Sequence, residues 1–275
     1  MKKRVLLLGS NSKINREFIK NFKRKYEIFS TAKNPNQINQ FKVDLPNEIY
    51  IPKNLKFDAA ILSASITNQK YCEENYEISF KTNVLSQIKI IDFLGKKGCK
   101  LIFPSTNMVF PDNSIIKSEK TKKIPKNNYG FFKSIVEEYL LNSNYDFNII
   151  RFTKIIFKND LFFSNWINEI KNNNKVTAFS NHYISPISIN FCLDKIDMII
   201  QKKISSSIVH LSSSDKISYF ECIKYLSKKY NLNSNLISSN LAPKNIKITN
   251  SKLECNILKK LNFKLPKSLD AVDLV

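Results

Sequence analysis

Glycine is scarce in this sequence, since only four of its 275 residues are glycine. Histidine occurs twice and cysteine five times, and no two cysteines form a Cys-x-x-Cys pair. Scattered cysteines in odd number argue against a disulfide framework and against a structural zinc site. Two histidines also give a catalytic metal few ligands. We therefore predict no metal site, and we expect the protein to reside in the reducing cytoplasm.

Long hydrophobic runs are also missing. Runs such as VLLLG and KLIF are far shorter than the roughly 20 residues that a membrane-spanning helix needs. The opening MKKRVLLLGS imitates a secretory signal, but its apolar part stops after Leu8 and no cleavage site follows a longer apolar region. We interpret these residues as a buried first strand and predict no membrane insertion.

Acidic residues are few beside basic ones, with 23 against 44, and the formal net charge is +21. A lysine-rich surface can neutralise the phosphates of a nucleic acid. Here, however, lysine is spread along the whole chain, which indicates a general compositional bias with solvated side chains. We therefore predict no nucleic-acid partner, although a basic field also suits a small diphosphate ligand.

Apolar strand patterns alternate with helical periodicity through the first half of the chain. The strand patterns are RVLLLG, EIFS, FDAAILSAS, KLIFPST and FNIIRFT, and they are separated by segments such as NREFIKNFKRKY, ENYEISFKTNVLSQIKIIDFLGKKG and YGFFKSIVEEYLLNSN. Alternation of this kind predicts an α/β fold with a Rossmann-type, doubly wound parallel sheet. The strands lack polar alternation, so we expect helices on both faces of the sheet.

The alternation becomes irregular after about residue 155. We assign residues 1–155 to the sheet domain and expect later segments around residues 186–212 to complete its sheet. Residues 156–275 are predicted to form mainly a smaller C-terminal lobe, since they carry helices such as DLFFSNWINEI and SYFECIKYL among short strands. No low-complexity linker separates the two parts.

The turn after the first strand reads GSNSKIN, with Gly9, Ser12 and Asn15 at the three positions of a G-x-x-G-x-x-G loop. Glycines there allow a tight turn, close approach of backbone N–H groups to a pyrophosphate, and close helix packing. Ser12 is small enough for such an approach, and Lys13 and Ile14 open the next helix. Asn15 is less suitable, because its side chain must fit where the helix packs on the sheet. An ordinary capped turn stays the alternative.

The second strand ends in FSTAKN, where enzymes that use NAD carry a carboxylate for the ribose. The hydroxyls of Ser30 and Thr31 with the cation of Lys33 suit a 2′-phosphate better than a bare hydroxyl. We therefore predict NADPH as the preferred cofactor, with NADH as the alternative. Lys33 is equally consistent with one surface lysine among many.

The pentapeptide YGFFK places Tyr129 and Lys133 four positions apart on one helix face. A cation near the phenol is expected to lower the tyrosine pKa from about 10 and make it a proton donor or acceptor. Thr106, at the strand end in PSTNMVF, is expected to hydrogen-bond a substrate carbonyl and stabilise a developing alkoxide. Tyr-x-x-x-Lys also arises by chance in a chain with 11 tyrosines.

Taken in order, the blocks LLLGSNSKIN, SASITNQKYCEENYEISFKTNV, FPSTNMVF, YGFFK and IIRFTKIIF make the chain similar to the extended short-chain dehydrogenase/reductases. Within them it most resembles the dTDP-4-dehydrorhamnose reductase-like family, which acts on nucleotide sugars, and the resemblance runs nearly end to end. It implies an NAD(P)-binding sheet domain and a substrate-binding lobe. It also implies that Thr106, Tyr129 and Lys133 are the catalytic residues.

The resemblance implies further contacts. It places Asn83 and the small run Ser63, Ala64 and Ser65 near the cofactor, with an ordinary helix residue and a packed strand end as the alternatives. Asp44 is expected to contact the cofactor at the adenine, with a turn cap as its alternative. Asn107 and Met108 replace the usual Asp-Tyr after the catalytic threonine and are expected to contact the substrate. The carboxylate pair of the related dehydratases is missing there, so we expect no dehydration chemistry. His182 is interpreted as a packing residue of the lobe.

These observations lead to the hypothesis of an NADPH-dependent reductase of a keto group on a nucleotide-activated deoxysugar, serving surface polysaccharide biosynthesis. Its partner is then a small nucleotide-sugar substrate, and a homodimer is left open. The eroded glycine loop favours one alternative, a non-catalytic or regulatory relative that keeps the fold. A second alternative is an NAD-dependent sugar nucleotide epimerase.

Overall fold

The computed structural model describes residues 1–111, 115–204, 207–243 and 250–275. Its contacts divide the chain into two compact units. Unit 1 comprises Met1–Phe110, Lys122–Arg151 and Leu193–Val209. Unit 2 comprises Pro111–Thr121, Phe152–Cys192 and His210–Val275. The sequence-based boundary places residues 111–121 in the first domain, whereas Pro111–Thr121 belongs to unit 2.

Eight strands form the large sheet. In chain order they are β1 (Arg4–Leu8), β2 (Glu27–Ala32), β3 (Gln40–Asp44), β4 (Glu48–Ile49), β5 (Ala59–Leu62), β6 (Lys100–Thr106), β7 (Phe147–Phe152) and β12 (Ile208–Leu211). The smaller strands are β8 (Ile155–Ile156), β9 (Val176–Phe179), β10 (Tyr183–Ile184), β11 (Ile187–Ser188), β13 (Ile217–Ser218) and β14 (Ile237–Asn240).

The α-helices of the described chain lie between these strands. They are α1 (Lys13–Phe22), α2 (Gln69–Glu74), α3 (Tyr76–Phe80), α4 (Ser86–Gly95), α5 (Asn128–Leu141), α6 (Leu161–Lys171), α7 (Ile189–Ile200), α8 (Tyr219–Lys229), α9 (Asn256–Lys260) and α10 (Ser268–Val272). Within the described ranges, none of the helices is both long enough and apolar enough to cross a membrane.

The strand order of the large sheet is β12-β7-β6-β5-β1-β2-β3-β4. Strand β1 pairs in parallel with β2 and β5, and β5 pairs in parallel with β6, whereas β4 runs antiparallel to β3 at the edge. Every residue of β5 and β6 is buried. Burial on both faces explains why β5 and the first half of β6, Leu101–Phe103, are apolar without polar alternation. The predicted α/β Rossmann-type sheet is confirmed.

The core of unit 1 forms where apolar helix faces meet the sheet. In α5, Phe132, Val136 and Leu140 recur every four residues and are all fully buried. The ring of Phe132 packs edge-to-face against Tyr76 and Phe80 of the α3 helix, with centroids 5.2 and 5.8 Å away. The first turn of the same helix lies against the backbone just after β6, at Met108.

Unit 2 has its own core, built mainly by α6 and α8 on short strand pairs. Strand β9 pairs in parallel with β14, and β10 pairs antiparallel with β13. Helix α8 begins with a capping box in which Ser218 and Glu221 satisfy each other's backbone N–H groups. His182 packs edge-to-face on Tyr219 with ring centroids 5.1 Å apart, so its ring lies in the aromatic packing of this unit.

The helix that the sequence predicts over residues 74–98 runs without a break from Tyr76 to Gly95, and it has a π-helical turn in its middle. Helix α2 ends at Glu74, and Asn75 leaves the helical region with φ −129° and ψ 59°. After α3, a π-helical turn spans Lys81–Leu85 before α4 begins. A π turn inserts an extra residue and redirects the side chains in it, and such turns occur frequently at functional sites. Here the turn contains Asn83.

Asn15 occupies the position where a dinucleotide loop usually has its third glycine, and its side chain is fully buried. Its Nδ2 donates to the carbonyls of Leu8 and Gly9 at 2.7 and 2.9 Å, and its Oδ1 accepts from Ser63 at 3.2 Å. The Asn15 side chain therefore occupies the space that a glycine would leave open, and its hydrogen bonds join α1 to the ends of β1 and β5.

Replacement of Asn15 by alanine is expected to destabilise the protein by about 1–3 kcal/mol, because it removes the buried amide that donates to the Leu8 carbonyl and is one of two donors to the Gly9 carbonyl. The measurement is the free energy of unfolding, obtained from urea titrations of wild type and variant. The matched control is Asn21→Ala, which changes an exposed asparagine of the same helix and is expected to cost less than about 0.5 kcal/mol. Equal losses in the two variants would contradict this role for Asn15.

Candidate active site

The loop between β1 and α1 is fixed by β2 and lies against the end of β5. Gly9 has φ +77°, and a Cβ there would lie 3.2 Å from Cα of Ala64. The Gly9 N–H donates to Thr31 Oγ1 at 2.9 Å, and the Ser10 N–H donates to the Thr31 carbonyl at 2.7 Å. Gly9 is therefore required for two reasons, its left-handed backbone and the close approach of Ala64.

The N-terminus of α1 opens from this loop. Ser12 caps the helix, because its Oγ accepts from the Asn15 N–H at 3.1 Å. Ile14 lies in the first turn, where an N–H has no acceptor within the helix. Lys13 begins the same turn and adds a positive charge. A helix N-terminus with a cationic first residue attracts an anion such as a pyrophosphate.

The end of β2 differs from the sequence-based expectation. The hydroxyl of Thr31 is engaged by Gly9, and Ser30 is buried with its Oγ accepting from Gln40 at 3.4 Å. Lys33 forms an ion pair with Asp44 at 3.1 Å. The expected hydroxyl pair with a nearby cation is thus occupied by protein partners, and Asp44 balances the lysine charge.

The segment after β5 is held by the π-helical turn. Asn83 Oδ1 accepts from the Ile66 N–H at 2.8 Å and from Ser65 Oγ at 3.1 Å, while its Nδ2 donates to the Ile66 carbonyl at 2.8 Å. Gln87, one turn later, donates to the carbonyl of Ala64 at 2.6 Å. Asn83 therefore shapes the backbone that borders the loop after β1, which is a supporting role.

A close backbone contact joins α5 to the end of β6. A Cβ on Gly130 would overlap the carbonyl of Met108, so only glycine lets the helix approach this far. Asn127 caps the helix by accepting from the Gly130 N–H at 2.7 Å, and its Nδ2 lies 3.7 Å from the Met108 sulfur. The first turn of α5 is thus fixed against the 3₁₀ turn Asn107–Val109 that follows β6.

Thr106 is the last residue of β6 and is 8% exposed. Its Oγ1 accepts from the Met108 N–H at 3.2 Å and lies 3.4 Å from Asn107 Oδ1. The hydroxyl therefore orients the 3₁₀ turn as an acceptor, donates its proton to Asn107 Oδ1, and keeps a second lone pair at the strand end. Asn107 and Met108 are both partly exposed beside it.

Lys133 is 4% exposed, and its ammonium donates to the Pro104 carbonyl at 2.8 Å. The same nitrogen lies 4.5 Å from the Phe103 ring centroid and 6.0 Å from that of Tyr129. Burial lowers the pKa of Lys133 to about 8, and the charge of Glu137 acts in the opposite direction. Lys133 therefore loses its proton at a lower pH than an ordinary lysine does.

The expected lowering of the Tyr129 pKa by Lys133 is wrong. Burial raises the pKa of this phenol to about 12, and the nearby Cys72 adds a smaller effect of the same sign. Desolvation of the phenolate dominates, and the Lys133 ammonium is hydrogen-bonded to the Pro104 carbonyl instead of the phenol. The hydroxyl makes no hydrogen bond to any described residue, so it holds a proton that it can donate.

A buried ionic cluster that sequence reasoning missed lies on α5, one helical turn after Lys133. Glu137 is fully buried and accepts from Arg151 Nη2 at 2.7 Å and from Ser105 Oγ at 2.5 Å. Lys123 lies 3.5 Å from the same carboxylate. Through Glu137, the cluster connects α5 to Ser105 of β6 and Arg151 of β7. The sequence indicates it only by a glutamate that follows Lys133 by one helical turn.

A polar cleft of about 330 Å³ opens beside the loop after β1, and sequence reasoning missed it as well. It is bounded by the loop, by one face of α1 and by the segment between β2 and β3. Its lining residues are Ser10, Asn11, Arg16, Ile19, Ala32, Asn34, Asn36, Gln37 and Gln40.

Replacement of Lys133 by methionine is expected to stabilise the protein by about 1–2 kcal/mol near pH 7, because it removes a buried charge and keeps the side-chain volume. The folded pKa of about 8 lies below the unfolded value of 10.5. The unfolded state therefore holds the proton more strongly between these values, so the wild type loses this penalty as the pH rises from about 8 to about 10.5.

The measurement for this prediction is urea unfolding of wild type and Lys133→Met at about pH 7 and about pH 10. The stabilising difference is expected to shrink at the higher pH. Lys96→Met, which changes an exposed lysine, is the control and is expected to change little at either pH. A destabilised Lys133→Met protein at pH 7 would show that the lysine serves the fold.

The chain matches the family model described as RmlD substrate binding domain over residues 2–273. No curated protein sequence matches it significantly. Among solved structures, it is similar to dTDP-4-dehydrorhamnose reductase from Bacillus anthracis in complex with NADP, with a TM-score of 0.83, 18% identity, and coverage of 99% of this chain and 98% of the other.

Two further structures extend the likeness. A dTDP-4-dehydrorhamnose reductase from Clostridium acetobutylicum gives a TM-score of 0.80 at 18% identity and covers 98% of this chain and 99% of its own. The Bordetella bronchiseptica enzyme WbmG in complex with NAD and UDP gives 0.84 at 13% identity, with 100% and 95% covered. At these identities the structures establish a shared fold. The match of the family model over nearly the whole chain establishes more, and the chain belongs to the RmlD substrate binding domain family of extended short-chain dehydrogenase/reductases.

Proposed function

We propose that the protein is an NADPH-dependent reductase of a keto group on a nucleotide-activated deoxysugar. The observation that carries the proposal is the seating of the first turn of α5 on the end of β6. That contact places Tyr129 and Lys133 on one helix next to the strand end that carries Thr106. A proton donor, a buried cation and a hydroxyl in one small region suit reduction of a carbonyl.

The loop after β1 fits a dinucleotide in spite of its missing glycines. Gly9 keeps the left-handed backbone that the turn needs, and Asn15 meets its own hydrogen-bonding demand within the fold. The N–H groups at the start of α1 would hold the pyrophosphate, and Lys133 would hold the nicotinamide ribose. When bound, NADPH supplies the hydride for the reaction.

Tyr129 is the proton donor in this proposal. Because burial raises the pKa of its phenol to about 12, the group carries its proton throughout the neutral range. Reduction of a carbonyl creates an alkoxide that needs that proton, and a phenol is acidic enough to give it up. Thr106 would orient the carbonyl oxygen toward Tyr129 from the end of β6.

Lys133 has two roles in this proposal, since it would bind the ribose and place a positive charge near the Tyr129 ring. Its present partner, the carbonyl of Pro104, uses one of its three ammonium hydrogens. The remaining hydrogens are available for a ligand. Glu137, one turn further along α5, favours the charged form of the lysine and thereby supports both roles.

The nucleotide-sugar substrate is inferred from family membership together with the solved relatives. The Bacillus anthracis reductase binds NADP, and the Bordetella bronchiseptica enzyme binds NAD and UDP. We carry the dinucleotide and the nucleotide moiety of the substrate over to this chain as part of the proposal. Action in the cytoplasm on a precursor of a surface polysaccharide is consistent with that chemistry.

Replacement of Tyr129 by phenylalanine is expected to lower turnover about 10²–10⁴-fold, because it removes the proton donor and leaves the ring packing in place. Turnover is followed as loss of NADPH absorbance with dTDP- and UDP-linked 4-keto-6-deoxysugars as substrates. NADPH affinity, measured by nicotinamide fluorescence, is expected to stay within about threefold of the wild type, because binding does not depend on the donated proton.

The matched control is Tyr139→Phe, which changes a tyrosine of the same helix that bonds Asp92 at 2.6 Å away from the site. We expect it to retain turnover. Equal turnover in Tyr129→Phe and wild type would exclude the proposed mechanism. Conversion of the nucleotide sugar without net consumption of NADPH would instead favour an epimerase.

A further inference from the structure

We propose that Arg16 selects NADPH over NADH by binding the 2′-phosphate of the cofactor in the cleft between α1 and the segment after β2. The inference rests on the proposed function, since it names the residue that distinguishes the two dinucleotides. It replaces the sequence-based assignment of that task to Ser30, Thr31 and Lys33. Four features of the cleft and its surroundings carry it.

The first feature is the charge of the cleft. Arg16 is its one charged lining residue within the described chain, and the remaining polar lining groups are hydroxyl or amide side chains. No carboxylate lines the cleft, so nothing there would repel a phosphate or serve as the usual acceptor for ribose hydroxyls. A dianion is therefore favoured in this cleft over a neutral diol.

The second feature is the state of Arg16 itself. Its side chain is exposed, and its guanidinium forms no ion pair with any residue in the described ranges. The planar guanidinium presents paired N–H donors that match phosphate oxygens. An unpaired arginine at the mouth of a polar cleft can thus bind a phosphate without first breaking a salt bridge.

The third feature is the position of the cleft relative to the loop after β1. Ser10 and Asn11 belong to that loop and line the cleft, and the Ser10 N–H is bonded to the Thr31 carbonyl at the end of β2. In Rossmann folds the adenosine ribose lies between the first loop and the end of the second strand. Arg16 faces this position from one turn into α1.

The fourth feature is that the rival groups are engaged elsewhere. Thr31 uses its hydroxyl to hold Gly9, and Lys33 is paired with Asp44 at 3.1 Å. Binding of a phosphate by Lys33 would have to compete with that carboxylate. Lys33 is also missing from the residues that line the cleft.

The test compares the dissociation constants of NADPH and NADH for wild type, Arg16→Met and Lys33→Met, measured by nicotinamide fluorescence. We expect Arg16→Met to weaken NADPH binding about 10–100-fold, because it removes a charge-assisted pair of hydrogen bonds to the phosphate. NADH binding should change less than about threefold, since NADH has no group for Arg16. Lys33→Met should leave the ratio of the two constants nearly unchanged.

Arg16→Lys is a second variant that keeps the charge and loses the paired geometry, and we expect an intermediate ratio. The inference would be overturned if Arg16→Met left the ratio of the NADPH and NADH dissociation constants unchanged. It would also be overturned if only Lys33→Met removed the preference for NADPH. A wild type that binds both dinucleotides equally would overturn it while leaving a reductase intact. A wild type that binds neither would overturn both the inference and the proposed function.

Discussion

The contact between Gly130 and the backbone of Met108 is the constraint on which the candidate site depends. It brings the first turn of α5 against the turn after β6, and any side chain at Gly130 would separate them. Asn127 fixes the same turn from the helix cap. Because Tyr129 flanks that glycine and Lys133 follows one turn later, the orientation of both relative to Thr106 is set by a single backbone approach.

Burial is the second determinant, and it acts on the two titratable groups in opposite senses. It raises the pKa of Tyr129 and lowers that of Lys133, since it disfavours a phenolate and an ammonium alike. The phenol therefore keeps its proton, and the lysine is held at a cost in stability. Glu137 offsets part of that cost, and its pairing with Arg151 ties it to β7. Such a costly arrangement is typical of residues kept for function.

The fold could be predicted from the sequence because buried strands such as β5, which reads AAIL, are recognisable without knowledge of their neighbours. The i, i+4 spacing likewise placed Tyr129 and Lys133 together. Features that depend on tertiary contacts could not be predicted. The buried amide of Asn15 is satisfied only because β1 and β5 end beside it. The direction of the Tyr129 pKa shift depends on desolvation, which the spacing of residues in the sequence does not reveal. The hydroxyl of Thr31 is engaged by a distant glycine, and Arg16 faces a cleft that exists only in the folded chain.

If the arrangement of α5, β6 and the loop after β1 supports reduction of a sugar carbonyl, a hydride must pass from NADPH to the sugar. The most direct test supplies NADPH deuterated at the nicotinamide C4 position together with a dTDP-linked 4-keto-6-deoxysugar and follows the label by mass spectrometry. We expect a hydroxyl product that carries the deuterium and forms in step with NADPH consumption. Deuterium that remains on the nicotinamide while the sugar is unchanged or merely epimerised would contradict this expectation.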